Sequence, residues 1–246
     1  LYDWEAHKII AKTQVPIDLI AENDGTREQK AEWYDAALEK CFAAFTPEQR
    51  KTIKAIGVSG HQHGFVPLDA DGKALYNVKL WNDTSTVEEC RLLTEAAGGA
   101  DSVIAEVCNL MLPGFTAPKI FWLKRHKPAA FAKLRYVMLP HDYLNWLFTG
   151  AYVMEAGDAS GMAVFNVIRR ACSQKISSRL DRLGGLLVRD CGRLAGVGGR
   201  RRQLDGRHRH RNRSRRIPDH EPRNLGYPLW LFRFPRLRSR QGAFRL

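Results

Sequence analysis

The sequence lacks the features by which several classes of protein are recognised. No apolar run approaches the roughly 18 residues of a membrane-spanning helix, and the first ten residues contain no signal-peptide core. A phosphate-binding loop of the form G-x-x-x-x-G-K-S/T is absent. The few cysteines form no C-x-x-C pair, so we expect buried free thiols. These absences predict a cytoplasmic protein that does not bind membranes. The cysteines are Cys41, Cys90, Cys108, Cys172 and Cys191.

Lysine is almost missing from the last third of the chain. Residues 1–168 carry 12 Lys and 5 Arg against 21 acidic residues, whereas residues 169–246 carry 1 Lys and 21 Arg against 5 acidic residues. The first region therefore has a net charge of −4 and the second a net charge of +17. We predict a domain over 1–168 and a disordered Arg-rich tail over 169–246, because the second region has no periodic apolar face to bury.

Two origins of the Arg-rich segment stay open. An abrupt change from Lys to Arg is what a DNA segment translated in a shifted reading frame would give. A genuine basic tail would instead bind nucleic acid non-specifically, through the phosphates.

Signals for strands and helices mix along residues 1–168, which is typical of an α/β fold. Capping boxes and Gly stops predict the helix ends, and short apolar runs predict the strands. The predicted helix starts are Thr26 with Gln29, Ser85 with Glu88, and Thr116, and a further helix over 143–148 ends at Gly150. The predicted strands are 53–58, 65–68 and 135–139, with a turn at 69–72.

Residues 56–83 read IGVSGHQHGFVPLDADGKALYNVKLWND and hold the candidate binding residues. Gly60 and Gly64 allow the backbone to approach a ligand closely. Gln62 and His63 between them offer donors and acceptors that suit sugar hydroxyls. From chemistry alone, His61 and His63 could equally be surface or satisfied core residues. A metal site on the H-x-H pair is the weakest of these interpretations, because no third ligand is evident.

This run resembles the FGGY family of carbohydrate kinases, and its xylulokinases most closely. The family pattern G-Q-M-H-G stands here as GHQHG at 60–64, and it is followed by LWND at 80–83. Residues 112–119, LPGFTAPK, resemble P-G-F-T-A-P-K, and 139–150, LPHDYLNWLFTG, resemble L-P-K-D-Y-L-x-x-x-x-T-G. The DASG block at 158–161 follows. Four blocks in order cover roughly residues 1–170.

The resemblance implies a fold and an activity. Such kinases have two actin-like (ribonuclease-H-like) domains and transfer the γ-phosphoryl group of ATP, with Mg²⁺, to a sugar. We therefore expect a kinase that converts D-xylulose, or a related ketopentose, to its 5-phosphate, and the intact family enzyme to be a homodimer. By resemblance Gln62 and His63 bind the ketose. Gln62 stands where the family pattern usually has Met, and Ser85 stands where it frequently has Arg. These two differences leave the exact pentulose open.

Two parts of the family's machinery have no counterpart in the sequence. The D-x-G-T-S hairpin of the first strand binds phosphates and Mg²⁺, and an Asp in a G-G-G-D-N-A block is the catalytic base. We therefore assign no catalytic, cofactor-binding or metal residue, and expect an incomplete N-terminal domain that is inactive alone, since phosphoryl transfer needs these groups. The alternatives are a non-catalytic sugar-binding protein and a nucleic-acid-binding protein that uses the Arg-rich tail.

Overall fold

A computed structural model describes residues 1–173, residue 176 and the backbone of 193–194. The predicted disorder of the Arg-rich tail and its nucleic-acid binding lie almost wholly outside the described residues and stay predictions, as does the domain boundary after residue 168. Within the described residues, no helix has the length and apolarity needed to cross a membrane.

Short strands and helices mix along the chain. The helices are α1 (Ala31–Ala43), α2 (Pro47–Lys51), α3 (Val87–Ala96), α4 (Ala100–Val107), α5 (Thr116–His126), α6 (Pro128–Phe131), α7 (Pro140–Thr149), α8 (Ala156–Ala159) and a 3₁₀ turn (Ser160–Met162). The strands are β1 (Tyr2–Asp3), β2 (Lys8–Ile9), β3 (Ile20–Ala21), β4 (Arg27–Gln29), β5 (Val66–Leu68), β6 (Val78–Lys79), β7 (Tyr136–Met138), β8 (Val153–Met154), β9 (Phe165–Asn166), β10 (Ala171–Cys172) and β11 (Arg193–Leu194).

The central strands pair antiparallel. β4 lies between β3 and β6, and β5 pairs with β7 through the register Val66↔Met138. A single bridge from Phe65 to Lys79 joins the start of β5 to β6, so the two sheets continue into each other. β1–β2 and β9–β10 form further antiparallel pairs, and β8 pairs parallel with β11.

Three apolar clusters hold the helices against these strands. The largest joins α3, α4 and α5 to the segment 154–165, with Val103, Val107 and Ala159 fully buried. A second fills the space between the sheets, α1 and α7, and a third packs α5 against Phe65. Burying one such Val or Leu side chain contributes about 1.5–3 kcal/mol. The candidate binding loop 60–64 lies where α5, α7 and the 154–165 segment converge.

The predicted helices form, but their N-terminal caps differ from the predictions. Thr26 and Gln29 lie at β4 rather than at a helix start, and α1 begins after Lys30. Ser85 donates its hydroxyl hydrogen to Asp83, and α3 begins after Thr86 without a side-chain cap. These polar side chains have nearby charged or backbone partners, and those contacts replace the local caps.

The end signal at Gly150 holds, whereas the cap predicted at Thr116 is displaced by one residue. Thr116 lies in the first turn of α5 rather than before it. Gly150 ends α7 in the left-handed conformation (φ 67°), as predicted from its sequence. Unpredicted, α2 starts with a capping box in which Thr46 and Gln49 bond each other's backbone.

The predicted inner strand over 53–58 is wrong. Residues 53–61 have no regular secondary structure and join α2 to the turn at 62–63. A strand needs a neighbour to hydrogen-bond, and no described residue supplies a ladder here. The predicted strands at 65–68 and 135–139 are present as β5 and β7, and Asp69 accepts two amide hydrogens in the predicted turn.

The cysteines follow the prediction in part. Cys41, Cys90 and Cys108 are free thiols, and of these Cys90 is buried. Cys172 is disulfide-bonded, contrary to the expectation of free thiols. Cys191 lies outside the described residues.

Candidate functional site

The loop 60–64 is held in place by the first turns of α5. His63 has a backbone φ of +57°, in the left-handed region that residues other than Gly rarely occupy. Its carbonyl oxygen accepts a hydrogen bond from Lys119 Nζ at 2.8 Å and one from Thr116 Oγ1 at 3.3 Å. These two donors hold the turn in a conformation that the local sequence disfavours, and such fixed strained positions are typical of binding sites.

The His63 imidazole is half-buried and stacked. Its ring lies 4.6 Å from the Phe115 ring at an angle of 28°. Nδ1 is buried and has no hydrogen-bond partner, although the Gly161 backbone lies close enough to favour a proton on the ring. Burial lowers the pKa of His63, the Asp158 charge opposes this, and Lys119 adds to it. The ring is therefore neutral at pH 7, with one N–H donor and one acceptor.

Glycines make this packing possible. A Cβ added to Gly161 would lie 1.7 Å from His63 Nδ1, so a side chain there would displace the ring. A Cβ on Gly60 would lie 2.9 Å from the backbone nitrogen of His141, and one on Gly64 would lie 2.5 Å from Pro140 Cγ. The loop thus rests on the N-terminus of α7 at two points and tolerates no side chain at either.

Gln62 and Trp81 are the exposed side chains next to this packing. Gln62 follows the extended segment 53–61 and points to solvent. Trp81 is 55% exposed, and its carbonyl oxygen would meet a Cβ on Gly114 at 2.5 Å. Gly114 and His63 accept hydrogen bonds from the same Lys119 amine, which places the Trp81 backbone in the same neighbourhood.

Lys119 is a fully buried amine at the centre of these contacts. Burial lowers the pKa of Lys119 to about 7, although Asp83 opposes the shift. Its hydrogen bonds go to neutral carbonyl oxygens, at 2.8 Å from His63 and 2.5 Å from Gly114. Two donors suffice for both bonds, so a neutral amine can hold the loop as well as a charged one.

His141 forms a second buried group beneath the loop. Its Nε2 lies 2.9 Å from Asp142 Oδ1, and its Nδ1 lies 2.7 Å from Asp158 Oδ2, the latter without the alignment of a hydrogen bond. Burial alone would lower the pKa of His141. The two nearby carboxylates outweigh burial and raise the pKa of His141 to about 10. His141 is thus an imidazolium at neutral pH, while burial raises the pKa of Asp142 beside it.

The charged cluster under the LWND block is structural. Lys79 Nζ is fully buried and lies 2.9 Å from Glu28 Oε1, 3.2 Å from Asp83 Oδ2 and 2.8 Å from Ser85 Oγ. Asp83 also accepts the amide hydrogen of Arg27 at 2.8 Å, which ties β4 to the segment after β6. Ser85, where the family often has Arg, is therefore engaged in this cluster rather than with the 60–64 loop.

Among the described residues, one group has the spacing of metal ligands. Ligand atoms of His141, Glu155 and Asp158 all lie within 4.8 Å of one another. Both Glu155 oxygens already accept amide hydrogens, from Gly157 and Asp158. Mg²⁺ prefers an octahedron of oxygens, whereas this group presents a protonated imidazole. The group does not fit Mg²⁺, and we assign the metal no step here.

The two predicted site residues are adjacent but differ in environment. His63 is packed and Gln62 is exposed, and their role in sugar binding stays a prediction. Sequence reasoning did not single out Phe115, Lys119, His141, Asp158 or Gly161 as site residues. All five lie inside the motif blocks at 112–119, 139–150 and 158–161, and that clustering was the available signal.

Comparisons with known proteins agree with these motifs. The model of the FGGY family of carbohydrate kinases, N-terminal domain, matches residues 1–182. The xylulose kinase of Haemophilus influenzae is 36% identical over 176 residues, which are 69% of this chain and 36% of that protein. This chain thus spans about a third of the length of the curated relatives it matches.

Solved structures of sugar kinases share the fold. A kinase from Brucella ovis, described as a xyloylose kinase, superposes with a TM-score of 0.65 at 30% identity over 72% of this chain and 36% of its own. The gluconate kinase of Lactobacillus acidophilus gives a TM-score of 0.68 at 22% identity over 79% of this chain and 38% of its own, a likeness of fold alone. The predicted α/β fold class is confirmed, and the chain belongs to the FGGY family of carbohydrate kinases, whose N-terminal domain it contains.

Proposed function

We propose that this chain supplies the sugar-binding part of an ATP-dependent pentulose kinase that converts D-xylulose to D-xylulose 5-phosphate. The observation that carries the proposal is His63, a neutral imidazole with a buried Nδ1 that is fixed in a strained turn beside the exposed Gln62. Because Nδ1 is buried, Nε2 is the ring nitrogen available to a hydroxyl. The identity to xylulose kinases supports the choice of ketose.

Phosphoryl transfer belongs to the whole protein in this proposal. The chain binds and orients the ketose, and ATP with Mg²⁺ would supply the transferred group and its charge neutralisation. Since the described residues that could hold a metal do not fit Mg²⁺, we propose that this chain alone binds sugar without turning it over. A cytoplasmic location and a homodimer of the intact enzyme are parts of the same proposal.

The substrate class is tested by calorimetric titration of the purified chain with D-xylulose, D-ribulose, D-gluconate and glycerol. We expect D-xylulose to bind most tightly and glycerol most weakly, because glycerol offers fewer hydroxyls to the polar groups of the loop. Tighter binding of gluconate or glycerol would contradict the pentulose assignment while leaving the family unchanged. If none of the four compounds gives a heat of binding, sugar binding by this chain is contradicted.

A further inference from the structure

The loop that carries His63 packs against two other segments so closely that a side chain at the contact glycines would not fit. Gly60 lies against the backbone of His141 at the start of α7, and Gly161 lies against the His63 ring. The loop is therefore packed between α7 on one side and the 158–161 segment on the other. Its position depends on how these two segments are held relative to each other.

The link between the two segments is ionic. His141 Nδ1, on α7, lies 2.7 Å from Asp158 Oδ2, three residues before Gly161. The other ring nitrogen of His141 lies 2.9 Å from Asp142, which fixes the ring plane. The three side chains are only 9%, 2% and 9% exposed, so water screens them little. Removing the cation would leave two buried carboxylates facing each other, which would push the segments apart.

Asp158 also acts on His63 directly. Its charge raises the pKa of His63, against the effects of burial and of Lys119. The charged groups that face His63 are thus Asp158, from the 158–161 segment, and Lys119, from α5. The His141 imidazolium partly neutralises Asp158 and so also affects His63 indirectly.

We infer that His141 and Asp158 form a charged clamp that joins α7 to the 158–161 segment and positions His63 for the sugar. This inference rests on the proposed function, because it gives the clamp a role in sugar binding. His141 and Asp158 are positioning residues here, and neither is assigned a contact with the ligand. What the clamp requires of residue 141 is a cation that reaches two carboxylates. A lysine at position 141 meets that requirement, because its amine is a cation at neutral pH.

The test uses the full 246-residue chain and three variants: His141→Gln, His141→Lys and Asp158→Asn. The matched control is His126→Gln, since His126 Nε2 also contacts a carboxylate, Glu89, at 3.0 Å but at the C-terminal end of α5. Imidazole ¹⁵N NMR follows the titration of His63, assigned by the loss of its signals in His63→Ala. Calorimetry with D-xylulose gives the affinity of each variant.

The clamp predicts shifts of opposite sign. His141→Gln exposes His63 to an uncompensated Asp158 and raises the pKa of His63, whereas Asp158→Asn lowers it. Both variants weaken D-xylulose binding by about tenfold, within the usual range for residues that act through neighbours. His141→Lys restores the wild-type titration and an affinity within about threefold, and His126→Gln changes neither.

The affinities and the His63 titration of these variants show whether the His141–Asp158 clamp exists. Equal affinities and an unmoved His63 titration in His141→Gln and Asp158→Asn would overturn the clamp. So would a His141→Lys variant as weak as His141→Gln. If His141→Gln does not fold, Asp158→Asn and His141→Lys decide alone. If the wild-type chain binds no D-xylulose, the proposed function fails, and the opposite shifts of His63 still decide whether the clamp exists.

Discussion

The stability of the chain should depend on pH through two buried cations whose effects oppose each other. Lys119 has a pKa lowered to about 7 by burial, and His141 has a pKa raised to about 10 by its carboxylates. Replacing Lys119 by Met removes the first titration. Replacing His141 by Lys keeps the cation of the clamp but moves its titration above the range studied. Each variant thus isolates the contribution of the other residue.

The sign follows from proton binding. Between pH 7.5 and 8.5 the unfolded chain holds a proton on Lys119 that the folded chain has mostly lost, so raising the pH favours folding. His141 has the opposite effect on folding as the pH rises, because the folded chain keeps a proton on His141 that the unfolded chain has lost. Its stabilisation is complete below about pH 6.5 and declines as the pH rises towards about 10. Each effect amounts to about 1 kcal/mol per pH unit in this window.

Urea unfolding at pH 7.5, 8.0 and 8.5 measures these slopes. The wild-type free energy of unfolding should change little, because the two contributions cancel. The free energy of unfolding of Lys119→Met should fall by about 1 kcal/mol over the range, and that of His141→Lys should rise by about as much. Groups common to all three proteins, such as the Cys90 thiol, drop out of the differences. Parallel slopes in all three proteins would refute the assignment of these two buried cations.

Two further predictions concern packing. Gly161→Ala should weaken D-xylulose binding by about tenfold or more, because its Cβ would overlap the His63 ring. Gly157→Ala should bind normally, because its Cβ meets only the flexible Glu155 side chain. Calorimetry compares the two variants, and equal affinities would contradict the packing of His63. Lys79→Met should cost about 3–5 kcal/mol of unfolding free energy, since Glu28 and Asp83 lose their buried partner. Arg91→Met, at a half-exposed pair with Glu88, should cost under about 1 kcal/mol, and a similar loss in both variants would contradict the structural role of Lys79.

The sequence predicted correctly those helix ends and turns that depend on residues close together in the chain. Gly150 ends α7 because a left-handed residue is required there, and the Asp69 turn forms because its carboxylate bonds amides two and four residues on. The capping predictions at Thr26 and Ser85 failed because Thr26 lies next to strand β4 and Ser85 belongs to a buried charged cluster. Ser85 binds Asp83 and Lys79, two and six residues before it, in a buried charged cluster that Glu28 of the remote strand β4 completes. The strand over 53–58 failed for a similar reason, since its apolar residues do not reveal whether a neighbour is available to pair.

The candidate site was predictable in its motifs and not in its electrostatics. The blocks at 60–64, 112–119 and 158–161 marked the neighbourhood, and the family assignment based on them is confirmed. That Lys119 is buried among carbonyl oxygens, and that His141 lies between two carboxylates, depends on packing between separate segments, such as those of Lys119 and His63, which are 56 residues apart. Those contacts set the pKa values of both residues, so only the folded chain reveals them.

His63 is the residue proposed to bind the sugar, and a comparison of D-xylulose affinities tests that role. D-xylulose is titrated into the wild-type chain, His63→Ala and His7→Ala; His7 is the matched control because it is an exposed histidine that also has a positive φ, 49° against 57°. His63→Ala should lose about 1–3 kcal/mol of binding free energy, the cost of leaving a hydrogen-bonding partner unpaired, and His7→Ala should bind like the wild type. Equal affinities of His63→Ala and His7→Ala, with both variants folded, would contradict the account.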